Sequence, residues 1–274
     1  MADRLTLRGL EVRAGSHALV QGVDLTLEGG EILALVGASG SGKTLTARSL
    51  LGLPGPRPGV VAARLEIQVG DTVHRPYEGL AEAMAAGRPG RFWRASRRAF
   101  TAVRGHVVGY MAQDARGALD PLWSVERQLR EAIALGPAGG SPVEWLLRAG
   151  FPRPEEALGL YPHELSGGMA QRVAIALSLA RGSRFLIADE PTTGLDPTVQ
   201  EAILGELRAT ARAGIGVLLI THDLRIVPRF ARRVQIMHAG RTVETMAADA
   251  LSGAASREVR ALLDATARVA GGLL

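Results

Sequence analysis

A chain of 274 residues with 32 Lys and Arg against 27 Asp and Glu carries a net charge of +5 and is long enough for one large domain with a sizeable core. It has no cysteine, which excludes disulfides, thiolate metal sites and cysteine-held iron–sulfur clusters. The basic residues are spread along the chain, so they suit anionic partners (nucleotide, phospholipid, nucleic acid) without identifying one. The opening Met1-Ala2-Asp3-Arg4 lacks the apolar core of a signal peptide. No apolar run approaches the ~20 residues of a membrane span. The longest, Val173 to Ala180, stops at Arg181. These features predict a cytoplasmic protein that meets a membrane only through a partner.

Leu5 to Val12 alternates loosely and reads as a strand; Val23 to Leu27 alternates cleanly, and Gly29-Gly30 turns it toward Ile32-Leu33-Ala34-Leu35-Val36. That last run is apolar throughout, the pattern of a parallel strand buried on both faces. It leads into Gly37-Ala38-Ser39-Gly40-Ser41-Gly42-Lys43-Thr44, which fits the phosphate-binding pattern G-x-x-x-x-G-K-[ST]. Helix-forming residues run from Thr44 to Leu51 and are closed by Gly52 and Pro54. Strand, glycine loop and helix supply the context the motif needs. Glycines let successive backbone N–H groups turn inward on a polyphosphate, and the helix dipole favours the anion. Lys43 would reach the β- and γ-phosphates and the Thr44 hydroxyl would hold Mg²⁺. Lys43 is the only lysine in a chain that also lacks asparagine, so a lysine stands only where a slim ammonium suits the loop better than a guanidinium.

Leu65 to Val69 and Val73-His74, around Gly70-Asp71, predict a hairpin. From Tyr77 to Arg104, Phe92, Trp93 and Phe100 lie among six arginines. A single-strand nucleic-acid surface mixes these types, but so does a solvated helix with an apolar stripe, the commoner arrangement. Val107 to Met111 is a short strand ending at Gln113. From Pro121 to Phe151, Val125, Leu129, Ile133 and Leu146-Leu147 recur at helical spacing, which predicts a helical subdomain inserted into an α/β core. Leu165-Ser166-Gly167-Gly168-Met169-Ala170-Gln171 opens a strongly apolar helix; its Ser-Gly-Gly is either a second anion-facing helix start or an ordinary serine cap. Phe185 to Ala188 is a buried strand with Asp189-Glu190 at its C-terminal end, the edge where open parallel sheets bind ligands. Asp189 suits a Mg²⁺ shell and Glu190 is placed to orient or deprotonate a water, although two solvated acids would look the same. After a loop carrying Asp196, a helix from Thr198 to Ala213 precedes the strand Ile215 to Ile220, which ends at Thr221-His222-Asp223. Val234 to Met237 and Arg241 to Glu244 predict a closing hairpin, and Ala247 to Leu274 a short helical tail with frayed ends.

Taken together, residues 4 to 250 resemble the ATP-binding subunit of an ABC transporter. The phosphate loop alone indicates only a P-loop NTPase; the run Leu165 to Gln171 followed by Asp189-Glu190, Asp196 and His222 is far more specific. The resemblance implies a P-loop core with a mostly parallel sheet, an antiparallel β layer at the N-terminal side, and a helical subdomain at about 115–180, with the ATPase domain spanning 1–250 and a tail at 251–274. It implies that Gly37 to Thr44 and Thr46 bind ATP, and that Thr44, Gln113 and Asp189 hold Mg²⁺. It makes Glu190 the base, has His222 contact the γ-phosphate, and lets Gln113 sense nucleotide toward the membrane partner. Ser166, Gly167, Gly168 and Gln171 would act across a dimer interface on the ATP of the other subunit. One phosphate loop and one Ser-Gly-Gly per chain are consistent with two composite sites built from two chains.

Gln113-Asp114, Ala118 to Pro121, Tyr161 to Met169 and Pro191 to Asp196 are similar to the oligopeptide, dipeptide and nickel importer group, and the loop through Thr46, the length and the missing cysteines lean toward its nickel-importing branch. The implied role is coupling ATP hydrolysis to uptake of nickel or a metal chelate, with peptide import as the alternative. The implied partners are two permease subunits, a second ATPase subunit (a sister chain) and an extracytoplasmic solute-binding protein, with no nucleic acid, and the place is the cytoplasmic side of the membrane. A soluble relative acting on nucleic acid or ribosomes would favour two fused ATPase units, coiled-coil insertions or zinc cysteines. A purely regulatory module would be expected to lose Glu190 or His222.

Three positions depart from the family pattern. Ala170 replaces a common arginine, Asp120 stands where asparagine is usual, and Ala14 stands where an aromatic stacks on adenine, with only His17 nearby. Base–aromatic stacking is worth about 1–3 kcal/mol, so weak base selectivity and a raised KM for ATP follow. Ala14→Tyr is expected to lower the KM for ATP about tenfold in initial-rate measurements; an unchanged KM would place the base elsewhere.

Overall fold

The computed structural model describes residues 2–53, 55, 58–80, 95–137 and 139–253. Two sheets organise it. The first is antiparallel, ordered β2-β1-β4-β5, from β1 (Arg4–Ala14), β2 (His17–Glu28), β4 (Pro58–Val69) and β5 (Thr72–His74). The second has six strands, ordered β10-β9-β3-β8-β7-β6. They are β3 (Ile32–Val36), β6 (Val108–Met111), β7 (Phe185–Asp189), β8 (Gly216–Thr221), β9 (Arg233–His238) and β10 (Arg241–Ala247). All neighbours in it are parallel except β9 and β10.

The sequence patterns explain why the layers stack. Along β1, Leu5 and Leu7 lie between Leu27 and Leu25 on one side and Ile67 and Leu65 on the other, so one face of the antiparallel sheet is a wall of branched aliphatics. The central strands alternate between two cores, as a period of two dictates. Leu33, Leu35, Ile187, Leu218 and Ile220 pack toward that wall. Leu186, Ala188, Val217 and Leu219 pack on the opposite face, against the helices. This two-sided burial is why β3, β7 and β8 read as continuous apolar runs.

The helices on that far face are α2 (Val125–Leu135), α3 (Pro142–Arg148), α4 (Pro154–Leu158), α5 (Gly167–Ala180) and α6 (Pro197–Arg212). The first three lie between β6 and β7 in the chain, and their buried residues join one cluster with α5, α6 and the sheet. All of these helix starts but that of α4 carry a side-chain cap. Ser141 and Glu144 form a reciprocal capping box behind Pro142, and Asp196 accepts from the N–H groups of Thr198 and Val199. The short helix α1 (Lys43–Ser49) follows the phosphate loop, and α7 (Val227–Phe230) precedes β9.

Several elements are longer than the sequence suggests. The strands β1, β2 and β4 extend beyond the expected alternating stretches because antiparallel pairing continues past them, through bulges, to Ala14 and Pro58. β10 runs on to Ala247 and is followed by a 3₁₀ turn, Ala248–Gly253; the rest of the expected tail helix lies outside the described residues. Residues 81–94 of the arginine-rich stretch do too. Its far end is described: residues 95–99 are helical, and Phe100, of the apolar residues among the arginines, is fully buried. Its ring meets Tyr77 edge-on at 5.0 Å, with the Arg104 guanidinium 5.7 Å from the ring centre. Gly52 permits this contact. It adopts φ +54°, and a Cβ there would lie 2.6 Å from the Phe100 ring. Phe100→Ala is expected to cost about 3–5 kcal/mol, read as a lowered urea midpoint with an unchanged slope. A cost below about 1 kcal/mol would mean that the ring is not part of the core.

Candidate active site

Three neighbouring strands, β3, β8 and β7, deliver the polar residues to one edge. Past β3, the backbone loops so tightly that a Cβ on Gly37 would sit 2.2 Å from the Met237 carbonyl oxygen of β9. Gly42 takes φ +99° and presses on Val20 of β2. The Lys43 ammonium turns back into this loop and donates to the carbonyls of Gly37 (2.8 Å) and Ala38 (3.0 Å). An ammonium has three N–H donors, so one remains for a ligand. Burial pulls Lys43 below its ordinary pKa, and the Glu190 and Asp189 carboxylates offset part of that.

Asp189 ends β7 and is buried. Its two oxygens have different partners: the Thr44 hydroxyl donates to Oδ1 at 3.2 Å, and the Tyr110 hydroxyl donates to Oδ2 at 2.8 Å. Burial raises its pKa above the usual carboxylate range; the two hydroxyl bonds and Lys43 act against that rise, and Glu190 adds to it. Burial, then the adjacent Asp189, pushes the Tyr110 phenol upward as well.

Glu190 follows in a left-handed conformation, φ +49°, which a residue with a Cβ adopts only when its surroundings hold it there. Its N–H donates to the Ile220 carbonyl at 3.0 Å. Three side chains converge on its Oε2: Thr193 donates at 3.0 Å, Gln113 donates at 3.4 Å, and His222 Nδ1 lies 3.4 Å away. These contacts fix the carboxylate through one oxygen. Ser39, Gly40, Gly42, Lys43, Thr44, Leu45, Gln113, Glu190 and His222 line a cleft of about 540 Å³. Cationic amine, hydroxyls, loop N–H groups and an anchored carboxylate together suit a polyphosphate and the water that attacks it. The facing oxygens of Thr44 and Asp189 are hard donors of the kind Mg²⁺ takes, so the residues fit that ion.

A family model described as ABC transporter matches residues 20–193. The chain is 40% identical over 255 residues to a peptidoglycan transport ATP-binding protein of Agrobacterium fabrum, covering 88% of this chain and 43% of that one. It is 37% identical over 240 residues to a putative peptide import ATP-binding protein of Brucella abortus, covering 85% and 67% respectively. The chain belongs to the ABC transporter ATP-binding family. A solved ATP-binding subunit of an ABC transporter superposes with a TM-score of 0.65 at 26% identity, over 95% of this chain and 99% of that one. The P-loop fold expected for the family, a mostly parallel sheet with an antiparallel sheet beside it, is the fold observed. The chain spans less than half of the Agrobacterium protein's length.

Against this family background, the structure gathers most of the residues singled out from sequence and sets others apart. Thr46 does not line the cleft: it is fully buried, its hydroxyl donates to the Gly42 carbonyl at 3.0 Å, and Met237 packs on it. Ser41 is likewise buried, and Gly37 and Ala38 face Lys43 through their carbonyls. Gln113 lines the cleft and donates through its amide nitrogen to Glu190, which leaves its amide oxygen available to a cation. Ser166, Gly167 and Gly168 lie outside the cleft. Ser166 caps α5 by accepting from the Met169 N–H, and a Cβ on Gly167 or Gly168 would meet Leu195 or Val199 respectively. Gln171 is buried on the inner side of α5, because the helical phase from Gly167 carries it inward with Ala170. Ala14 pairs across the β1–β2 turn with His17 and brings no aromatic ring there.

Sequence reasoning passed over Tyr110 and Thr193, which hold the two carboxylates. Tyr110 read only as a strand residue and Thr193 only as a loop residue; a lone tyrosine in an otherwise aliphatic strand leading to Gln113 was the available signal. Because its native pKa is raised, Asp189 binds its proton more tightly folded than unfolded. Its contribution to stability is therefore largest below the carboxylate range and is lost as pH rises through the raised value. Asp189→Asn is thus expected to unfold at higher denaturant than wild type at pH 8, with the gap closing toward pH 4. Urea midpoints across that range would reveal it; a variant less stable at pH 8 would show that the carboxylate's hydrogen bonds outweigh its burial.

Proposed function

We propose that this chain is the ATP-hydrolysing subunit of an importer for peptides or peptide-like solutes. The observation that carries the enzymatic part is Glu190, strained and anchored through one oxygen by Gln113, Thr193 and His222, in the same cleft as Lys43 and Thr44. In this reading the loop N–H groups and the remaining Lys43 N–H hold the triphosphate. Glu190 orients the attacking water and takes its proton through the oxygen left free. His222, beside it, meets the γ-phosphate. Thr44 and Asp189 would hold Mg²⁺, which when bound supplies positive charge against the phosphates. The remaining assignments from the family resemblance belong to the same proposal. A second ATPase subunit brings its Ser166–Gly168 counterpart to this cleft, and the helical segment spanning 115–180 relays closure.

Peptide cargo fits better than the nickel favoured by the sequence, because the relatives at 37–40% identity are named for peptide import and peptidoglycan transport. Chain length and missing cysteines say little about cargo, since every residue of the cleft serves a triphosphate. No helix among the described residues is long and apolar enough to cross a membrane, which accords with a peripheral subunit held at the cytoplasmic face by two permeases, with a solute-binding protein outside. A groove of about 360 Å³ beside the edge strand β6, floored by Ala112, Ala115 and Ala174 and flanked by Arg104 and Arg181, offers the permeases a place to dock. Small residues there leave room for an incoming helix.

Glu190→Gln should bind a fluorescent ATP analogue as wild type does, yet release phosphate at least 100-fold more slowly. Near-normal turnover would refute the role given to Glu190. In vesicles with its permeases, wild-type turnover should rise with peptide-loaded binding protein and not with nickel; the reverse would restore the metal reading.

A further inference from the structure

Asp189 is held from two sides by two different elements. Thr44 of α1 takes Oδ1 and Tyr110 of β6 takes Oδ2. β6 runs parallel to β7 with Tyr110 paired to Ile187, two residues before Asp189, so the ring reaches along the sheet to the strand's end. The ring packs against the first core and is itself half-buried, which limits its swing. Packing alone asks only for an aromatic body at this position. The hydroxyl adds one thing: a donor that stops the carboxylate turning about its last bond. With Oδ2 occupied, Oδ1 is the oxygen presented beside the Thr44 hydroxyl.

We propose that Tyr110 is a positioning residue for metal binding, its hydroxyl locking Asp189 so that Oδ1 and Thr44 form a ready-made pair of oxygens for the divalent cation that accompanies the nucleotide. The inference rests on the reading of the cleft as a magnesium–nucleotide site. Mg²⁺ demands near-ideal octahedral geometry, so a carboxylate free to rotate would have to be ordered on binding. Partners that orient a metal ligand typically contribute 10–100-fold in metal affinity. Tyr110 is also among the residues that line the groove beside β6.

The test is Tyr110→Phe in the full chain, which keeps the ring and removes the hydroxyl. The probe is Mn²⁺, titrated against protein and a non-hydrolysable ATP analogue and followed by the electron paramagnetic resonance of the free ion. The half-saturating Mn²⁺ concentration should rise about tenfold, while binding of the analogue in EDTA stays within about twofold of wild type, as expected if only the metal ligand is affected. A double-mutant cycle completes it: in an Asp189→Asn background, adding Tyr110→Phe should cause no further loss. Unchanged Mn²⁺ affinity, an equal loss in EDTA, or full additivity with Asp189→Asn would each overturn the proposal. Should wild type itself bind no Mn²⁺ with the analogue, the magnesium–nucleotide reading falls and this inference falls with it; wild-type binding with an indifferent Phe variant sinks the inference alone.

Discussion

Every parallel strand of the six-stranded sheet ends at one edge, and the chain must place there the polar groups that its strands cannot carry. The strands β3, β7 and β8 are buried on both faces, so the one charged residue among them, Asp189, stands at the very end of β7. Their lateral order turns this exclusion into a site. Across the edge, in the order β3, β8, β7, β6, the chain leaves the sheet with Lys43 and Thr44, then His222, then Asp189 and Glu190, then Gln113. Residues as far apart in the chain as Thr44 and Asp189 meet because the strands before them are neighbours but one. The glycine loop can close over this edge only because Gly37 lets the backbone pass against Met237, which ties the loop to β9.

The site stands at some cost to the fold. Asp189 is a buried carboxylate whose ionised form burial disfavours, and Glu190 sits in a conformation that side chains rarely adopt. Such features persist only where the surroundings over-determine them. Here they do: two apolar layers clamp the sheet from opposite faces, Ile220 takes the Glu190 N–H, and five side chains take up the carboxylate oxygens of the pair. The hydroxyl and amide donors around these acids lessen the desolvation cost without cancelling their charge, which a site for phosphate and water must keep.

The sequence was legible where one local rule decides. A continuous apolar run, a glycine-lysine loop and a helix start are each set within about ten residues, and the phosphate loop, β7 with its two acids and β8 with His222 could all be read directly. Legibility failed where lateral contacts decide. Tyr110 looks like any strand aromatic until β6 is known to pair with β7; Thr193 looks like any loop hydroxyl until Glu190 is known to bend back over it. Thr46, placed with the nucleotide loop by the family resemblance, has its hydroxyl turned by helical phase onto the preceding turn. Gln171 likewise follows the phase of its helix inward, although it belongs to the same short segment as the exposed Ser166. Strand ends were misjudged because alternation fades before pairing does, as β1 and β4 continue through bulges to Ala14 and Pro58.

Cargo is illegible for a deeper reason. The cleft is lined by groups that answer to phosphate, divalent cation and water, and none of them discriminates a peptide from a metal chelate. In the proposed importer, selectivity enters through other chains, and a signal to the cleft passes through whatever touches its acids. Gln113 meets Glu190 at the end of β6, and Tyr110, on the same strand, meets Asp189 while lining the alanine-floored groove. β6 and the residues just after it therefore carry a contact to each of the two acids, and β6 stands at one edge of the sheet among the described residues. A displacement of β6 and the residues after it would disturb both carboxylates at once. The short strand that reads as least distinctive in the sequence is thus the element that, with the residues just after it, touches both acids of the cleft.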